Sequence, residues 1–370
     1  MLQDVILGIV CRLHSGISFL LPPLRLLWSG LDCALNLLQE GRAMQQVIRE
    51  TLNWNCLTQV TLLYRNGFFV TVGLVTVIMA VKHVQEIRII DGKDYQGIKE
   101  AVFKYGGVQT SLYSTITSSK TKTPYYNRQT NAYCYMGSEK PNHDVVIIGW
   151  DDNYPKENFN VDLEGDGAFI CQNSWGSQFG EDGVFYVSYY DTNVGTHNVV
   201  YTDVEDTDNY DNIYQSDLCG WVGKMGYDKE DMYGANVFTA QSAESLKAAS
   251  FYATASDTSY KLYVVKNFEN EYSFQNKTKV AEGTLENSGY YTVNFDEPIE
   301  VESGERYAVV LYISTPGSTH PMAIEYDSGE KYMSAVDLND GEGYISYDGV
   351  AFINVKEKQD CNLCIKAFSD

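Results

Sequence analysis

A chain of 370 residues with 49 Asp and Glu against 27 Lys and Arg carries a formal net charge of −22. That acidity excludes a protein whose affinity rests on neutralising nucleic-acid phosphates, and it favours a solvated, extracellular surface. Apolar content of 44% is ordinary for a globular protein, and the length suggests two domains or three.

The charge is unevenly spread. Residues 1–90 hold seven Lys and Arg against five Asp and Glu, so the acidity lies in the remainder of the chain. Of 29 tyrosines, Tyr64 alone falls in that first stretch. The stretch does not read as a targeting sequence: Val5 to Val10 is apolar, but Asp4 precedes it and Arg12 and His14 interrupt it. Val70 to Val81 is an apolar run of twelve, too short for a membrane span. The eight cysteines are too dispersed for a disulfide framework. Cys361 and Cys364 form a CxxC without a second half, which predicts buried thiols rather than a metal site.

From residue 84 the pattern becomes regular. Glu86 to Ile90 alternates as a strand does. Asp94 then stands as an N-cap before a helix with Ile98, Ala101, Val102 and Tyr105 on one face, and Gly106 stops it. Val108 to Tyr113 returns as a strand. Two polar stretches, Ser118 to Asn131 and Tyr154 to Asp166, read as surface loops expected to rim a cleft.

Between and beyond those loops lie three apolar runs cut by glycines, each with the signature of a strand. They are His143 to Trp150, Gly167 to Gln172 leading into Asn173-Ser174-Trp175-Gly176, and Gly183 to Tyr190. A histidine at a strand end can exchange a proton with a nucleophile through one ring nitrogen, while an acceptor on the other fixes its tautomer. An asparagine carbonyl does this without adding charge, which suits a thiolate–imidazolium pair. The indole of Trp175 is placed to shield that hydrogen bond.

These blocks, in this order, resemble the C-terminal half of papain-like cysteine peptidases. Trp150-Asp151-Asp152-Asn153-Tyr154 and Ser188-Tyr189-Tyr190-Asp191 are similar to the bacterial cell-surface branch of the family. The resemblance implies that His143 is the catalytic base, Asn173 its orienter and Trp175 the shield. It implies a polypeptide substrate, acyl-enzyme chemistry, and no cofactor or metal. Asp144 departs from the family, which has a small apolar residue there; a carboxylate at that point would perturb the histidine or alter a substrate subsite.

The family also needs a cysteine at the head of a long helix and a glutamine lending an oxyanion donor. Residues 1–83 contain neither motif. Cys11, followed by Arg12-Leu13-His14, is the best placed nucleophile candidate, ahead of Cys33 and Cys56. Two readings of residues 1–83 follow: a segment translated from a shifted frame, or a divergent lobe without a nucleophile. Codons for Phe19 to Leu24, displaced by one base, can spell Ser-Ala-Thr-Ala-Ala, which is similar to the family's catalytic helix. The DNA upstream of codon 84 decides between them.

Beyond the peptidase-like stretch, residues 206–217 are acidic, without apolar periodicity, and read as a linker. Residues 218–370 carry short strand candidates at regular spacing: Ala235–Ala240, Leu246–Ala253, Tyr260–Val265, Tyr290–Phe295, Tyr307–Ile313, Met322–Glu325, Tyr344–Tyr347 and Cys364–Phe368. That spacing predicts an antiparallel β-sandwich. Several blocks, Tyr344-Ile345-Ser346-Tyr347-Asp348-Gly349 among them, resemble the lectin-like domain that follows the peptidase in bacterial surface proteases. A cell-wall or glycan ligand is the partner this implies, at the bacterial surface. Asp337-Leu338-Asn339-Asp340-Gly341 misses the EF-hand spacing and reads as a turn.

The expected fold is therefore α+β: a papain-like β-barrel lobe at 84–205, preceded by an aberrant segment, and an all-β sandwich at 218–370. Little or no peptidase activity is expected without the nucleophile. The rival reading is a non-catalytic surface-binding protein that uses the sandwich.

Overall fold

The computed structural model describes residues 82–116, 122–329 and 336–370, and the backbone of two paired strands, β1 (Cys56–Leu63) and β2 (Phe69–Thr76). Cys11 and most of residues 1–83 lie outside the described residues.

The first domain is built on β3 (His83–Ile90), α1 (Tyr95–Tyr105), β4 (Val108–Leu112), the two-residue strands β5 (Tyr126–Asn127) and β6 (Ala132–Tyr133), β7 (His143–Asp151), β8 (Ala168–Gln172), β9 (Val184–Ser188) and β10 (Asn198–Glu205). Helix α1 starts where Asp94 accepts a hydrogen bond from the Gly97 amide and ends where Gly106 turns left-handed at φ 90°. Its inner face buries Ile98, Ala101 and Val102 against Val108, Val145, Ile147 and Phe169. Strands β4, β7, β8 and β9 pair antiparallel in that order, and β6 joins β9 in parallel.

The second domain adds β11 (Asn212–Tyr214), β12 (Gly223–Met225), β13 (Asp231–Thr239), β14 (Glu244–Ala253), β15 (Thr258–Val265), β16 (Thr278–Leu285), β17 (Gly289–Val301), β18 (Arg306–Ser314), β19 (Met322–Glu325), β20 (Gly343–Ser346), β21 (Ile353–Asn354), β22 (Asn362–Leu363) and β23 (Lys366–Ser369). One face of the sandwich is the sheet β16-β15-β18-β13-β20-β21. The other is β11-β23-β14-β17. Between them lie Leu246, Phe251, Met232, Leu262, Tyr307, Val309 and Leu311, all nearly free of solvent. Every strand expected in this domain forms. Missing from the sequence reading were the polar edge strand β16 and the short β11, β12, β21 and β22.

The two domains share a sheet. Strand β17 pairs with β3 through Gly289–Arg88, Tyr290–Ile87 and Tyr291–Glu86, so twelve strands run continuously from β11 to β5. A separate apolar cluster seals the joint, with Val84, Ile87, Val199 and Tyr201 from one side and Tyr252, Tyr290, Ala323 and Cys364 from the other. The acidic stretch 206–217, expected as a linker, contains β11 and ends in Asp217, which makes a buried 2.6 Å ion pair with Lys366. Local polarity hid this, because the partner strand and the lysine lie about 150 residues further on.

Candidate active site

His143 opens β7, whose first residue pairs with Leu112 at the end of β4. Asn173 follows β8, the neighbour of β7 on its other side. The imidazole Nε2–H donates to Asn173 Oδ1 at 3.0 Å. Asn173 is 2% exposed, so water does not compete for that bond. Its backbone amide donates to Gly183 O at 2.9 Å, which ties it to the loop that closes before β9.

Trp175 stacks on the imidazole, with ring centroids 4.8 Å apart and planes inclined by 30°. The indole is held in turn by Phe179 edge-on at 5.1 Å. Phe179 stacks on Tyr126 at 5.2 Å and meets Phe185 at 5.3 Å. An aromatic column thus runs from the histidine into the core. Gly180 allows its bend: φ is +60°, and a Cβ there would strike the Val184 carbonyl oxygen. Phe179 and Tyr126 were absent from the sequence reading; an aromatic four residues after Trp175, just before a glycine, was the available signal.

The Asp144 carboxylate finds its hydrogen-bond partners on β4. Successive strand residues face opposite sides, and the Asp144 carboxylate accepts from Ser111 Oγ at 2.8 Å and Gln109 Nε2 at 3.2 Å. Tyr201 donates to Gln109 Oε1 at 3.1 Å. Burial pushes the carboxyl up to about 7, against the pull of the two hydrogen bonds.

One loop expectation is corrected. The chain between Asp151 and Ala168 leaves the far end of β7 and enters the far end of β8, where those two residues pair. Tyr154 to Asp166 therefore does not rim the histidine end. It packs Tyr154, Phe159 and Leu163 over Ala132, Cys134 and Ala168. The loop after β4 does begin beside His143: Ser114 and Asn142 exchange two hydrogen bonds, at 2.7 and 3.0 Å.

The Asp152 and Asp191 blocks are structural. Asp152 accepts from Tyr189 at 2.7 Å and Lys99 at 2.5 Å. Asp191 is 1% exposed and accepts from the amides of Tyr135, Asn193 and Val194 at 2.8 to 2.9 Å. The described cysteines, Cys134, Cys171, Cys219, Cys361 and Cys364, are all buried and reduced. Burial pushes the Cys134 thiol up to about 12 and raises Cys171 and Cys364 further from ionisation. Cys11, the nucleophile candidate, falls outside the described residues. Among the described residues no group of three His, Cys, Asp or Glu is arranged to hold a metal ion, and no helix is long and apolar enough to cross a membrane.

Residues 75–204 match the model of the papain family of cysteine proteases, and residues 213–369 match that of a lectin-like domain. The chain is thus similar to a papain-like lobe followed by a lectin-like domain. Its structure is similar to that of a clostridial cysteine protease, Cwp84, after propeptide cleavage: 27% identity, TM-score 0.69, covering 79% of this chain and 72% of that one. A second structure spans the cysteine protease and lectin-like domains of Cwp84, a surface layer associated protein of Clostridium difficile. It gives 26% identity and a TM-score of 0.67 over 79% of this chain and 64% of that one. No curated protein matches the sequence.

Proposed function

We propose that this chain carries the proton-handling half of a cysteine peptidase site, with His143 as base and imidazolium, Asn173 as orienter and Trp175 as shield. The observation that carries the reading is the Nε2–H to Asn173 hydrogen bond beneath a stacked indole. It selects the tautomer whose Nδ1 is basic, the nitrogen a thiol would use. The substrate is a polypeptide, attacked through an acyl-enzyme. Nδ1 already holds the thiol proton when the thiolate attacks the carbonyl carbon; as the C–N bond breaks, the imidazolium passes that proton to the departing amine.

In this reading the peptidase lobe spans 84–205, and the sandwich at 218–370 holds the protein at a bacterial surface, the setting of the Cwp84 relative. The described cysteines do not supply the nucleophile, since a buried protonated thiol attacks poorly. Hydrolysis by this chain is therefore expected to be weak or absent unless residues 1–81 provide one. Those same buried thiols favour a second reading, a non-catalytic surface-binding protein on a peptidase scaffold.

A biotinylated peptidyl epoxide separates the two. Covalent labelling at one cysteine, lost in His143→Ala and in Cys11→Ala, supports the peptidase. A folded, unlabelled protein favours the binder.

A further inference from the structure

The proton-handling chemistry leaves Asp144 unused, although it follows His143 directly on β7. Side chains alternate along a strand. Val145 and Ile147 lie in the core of the lobe with Val108 and Leu112 of β4. Asp144 is partly exposed and stands opposite Ser111 in the β4–β7 register. Because His143 is the first residue of β7, a polypeptide lying across that strand end meets both faces. We propose that Asp144 is the specificity-determining residue of the site and receives the guanidinium of an arginine in the bound polypeptide. The inference rests on the peptidase reading for the path of that polypeptide past His143.

Three observations support an arginine. The carboxylate has no cation of its own: among the described residues, the groups acting on it are the neutral Ser111 and Gln109. Those two donors are divided between its oxygens, Ser111 on Oδ1 and Gln109 on Oδ2, so each oxygen keeps a lone-pair site. A guanidinium fork fills two such sites at once, and an ammonium, as a point charge, does not. The net charge of −22 draws basic peptides toward the chain and repels acidic ones.

The carboxylate is also held in place. Gln109 acts as a positioning residue: Tyr201 of β10 donates to its Oε1 at 3.1 Å, which turns Nε2 toward Asp144. Tyr201 is buried in the joint between the domains, in one cluster with Tyr252 and Tyr290 of the sandwich. The second domain therefore buttresses Asp144 through Tyr201 and Gln109.

The full chain, labelled with [13C]aspartate, is titrated by NMR with the N-acetyl methylamides of arginine, lysine, citrulline and glutamate. At pH 8 arginine should move the Asp144 carboxyl signal saturably, at about millimolar affinity. Citrulline, its uncharged isostere, should bind about tenfold more weakly, as should arginine to Asp144→Asn, read there at the Ser111 amide. Tyr201→Phe keeps the ring but frees Gln109, and should weaken arginine roughly threefold. Burial holds the Asp144 proton up to about pH 7, so arginine affinity should fall about tenfold from pH 8 to pH 6. The other groups facing Asp144 are the neutral Ser111 and Gln109 of β4 and Tyr201 of β10, whose proton burial holds far above this range. The fall should persist in His143→Ala, which removes the adjacent imidazole. Arginine bound no better than citrulline, lysine or glutamate overturns the inference, and that comparison needs no variant to fold. So does the absence of arginine binding, or binding unchanged in an Asp144→Asn chain that circular dichroism shows to be folded. Failure of the peptidase reading shows separately, as a folded chain that the epoxide does not label.

Discussion

At the scale of single residues, the environment of a side chain outweighs its place in the sequence. Asp144 adjoins His143, yet its carboxyl belongs to Ser111 and Gln109. Its folded pKa, about 7, lies above the unfolded value of about 3.9. The folded state therefore holds the proton more tightly, and stability is lost as pH rises from about 4 through 7. Asp144→Asn keeps the hydrogen-bond acceptor and removes the charge. Urea melts should find it more stable than the parent at pH 8, by about 1–2 kcal/mol, and equal to it near pH 4. A variant no more stable at pH 8 would show that the carboxylate is well solvated. Phe179 is 4% exposed in the aromatic column, so Phe179→Ala should cost about 3–5 kcal/mol in urea unfolding. The same variant should loosen the Trp175 ring, seen as weaker ring-current shifts on the His143 protons.

Elements were legible where a local rule decides them. Asp94 and Gly106 bracket α1 because capping is chemistry within one turn. Asp94→Ala should lower stability by about 1 kcal/mol, measured as a shift in the urea midpoint at unchanged slope. The His143–Asn173–Trp175 group was legible for a different reason, since its spacing in the chain matches three blocks of a known family. Elements fixed by distant partners were not legible. β16 is polar and lies at a sheet edge, so no period-2 pattern announced it. β11 looked like linker because its partner, β23, is the last strand of the chain. The position of Tyr154 to Asp166 was legible in principle. A loop joining the end of one antiparallel strand to the start of the next lies away from the first strand's opening residue, and His143 is that residue.

For the whole molecule, the shared sheet is the main finding that local patterns withheld. Two runs of sequence nearly 200 residues apart, β3 and β17, complete one ladder, and Tyr290 sits in the joint at 1% exposure, donating to Ser250 at 2.7 Å. Tyr290→Ala should cost about 3–5 kcal/mol, read from urea unfolding. Calorimetry should show both domains melting in one transition in the parent chain. Two transitions would mean that the β3–β17 pairing contributes little.

That ladder also has a mechanical meaning. A tether of flexible chain would let the His143 end of the lobe sweep a wide arc around any anchoring point. Strands knitted edge to edge permit no such sweep. If the sandwich grips a wall polymer, the imidazole end of the lobe faces one fixed direction, and whatever reaches it must come from that side.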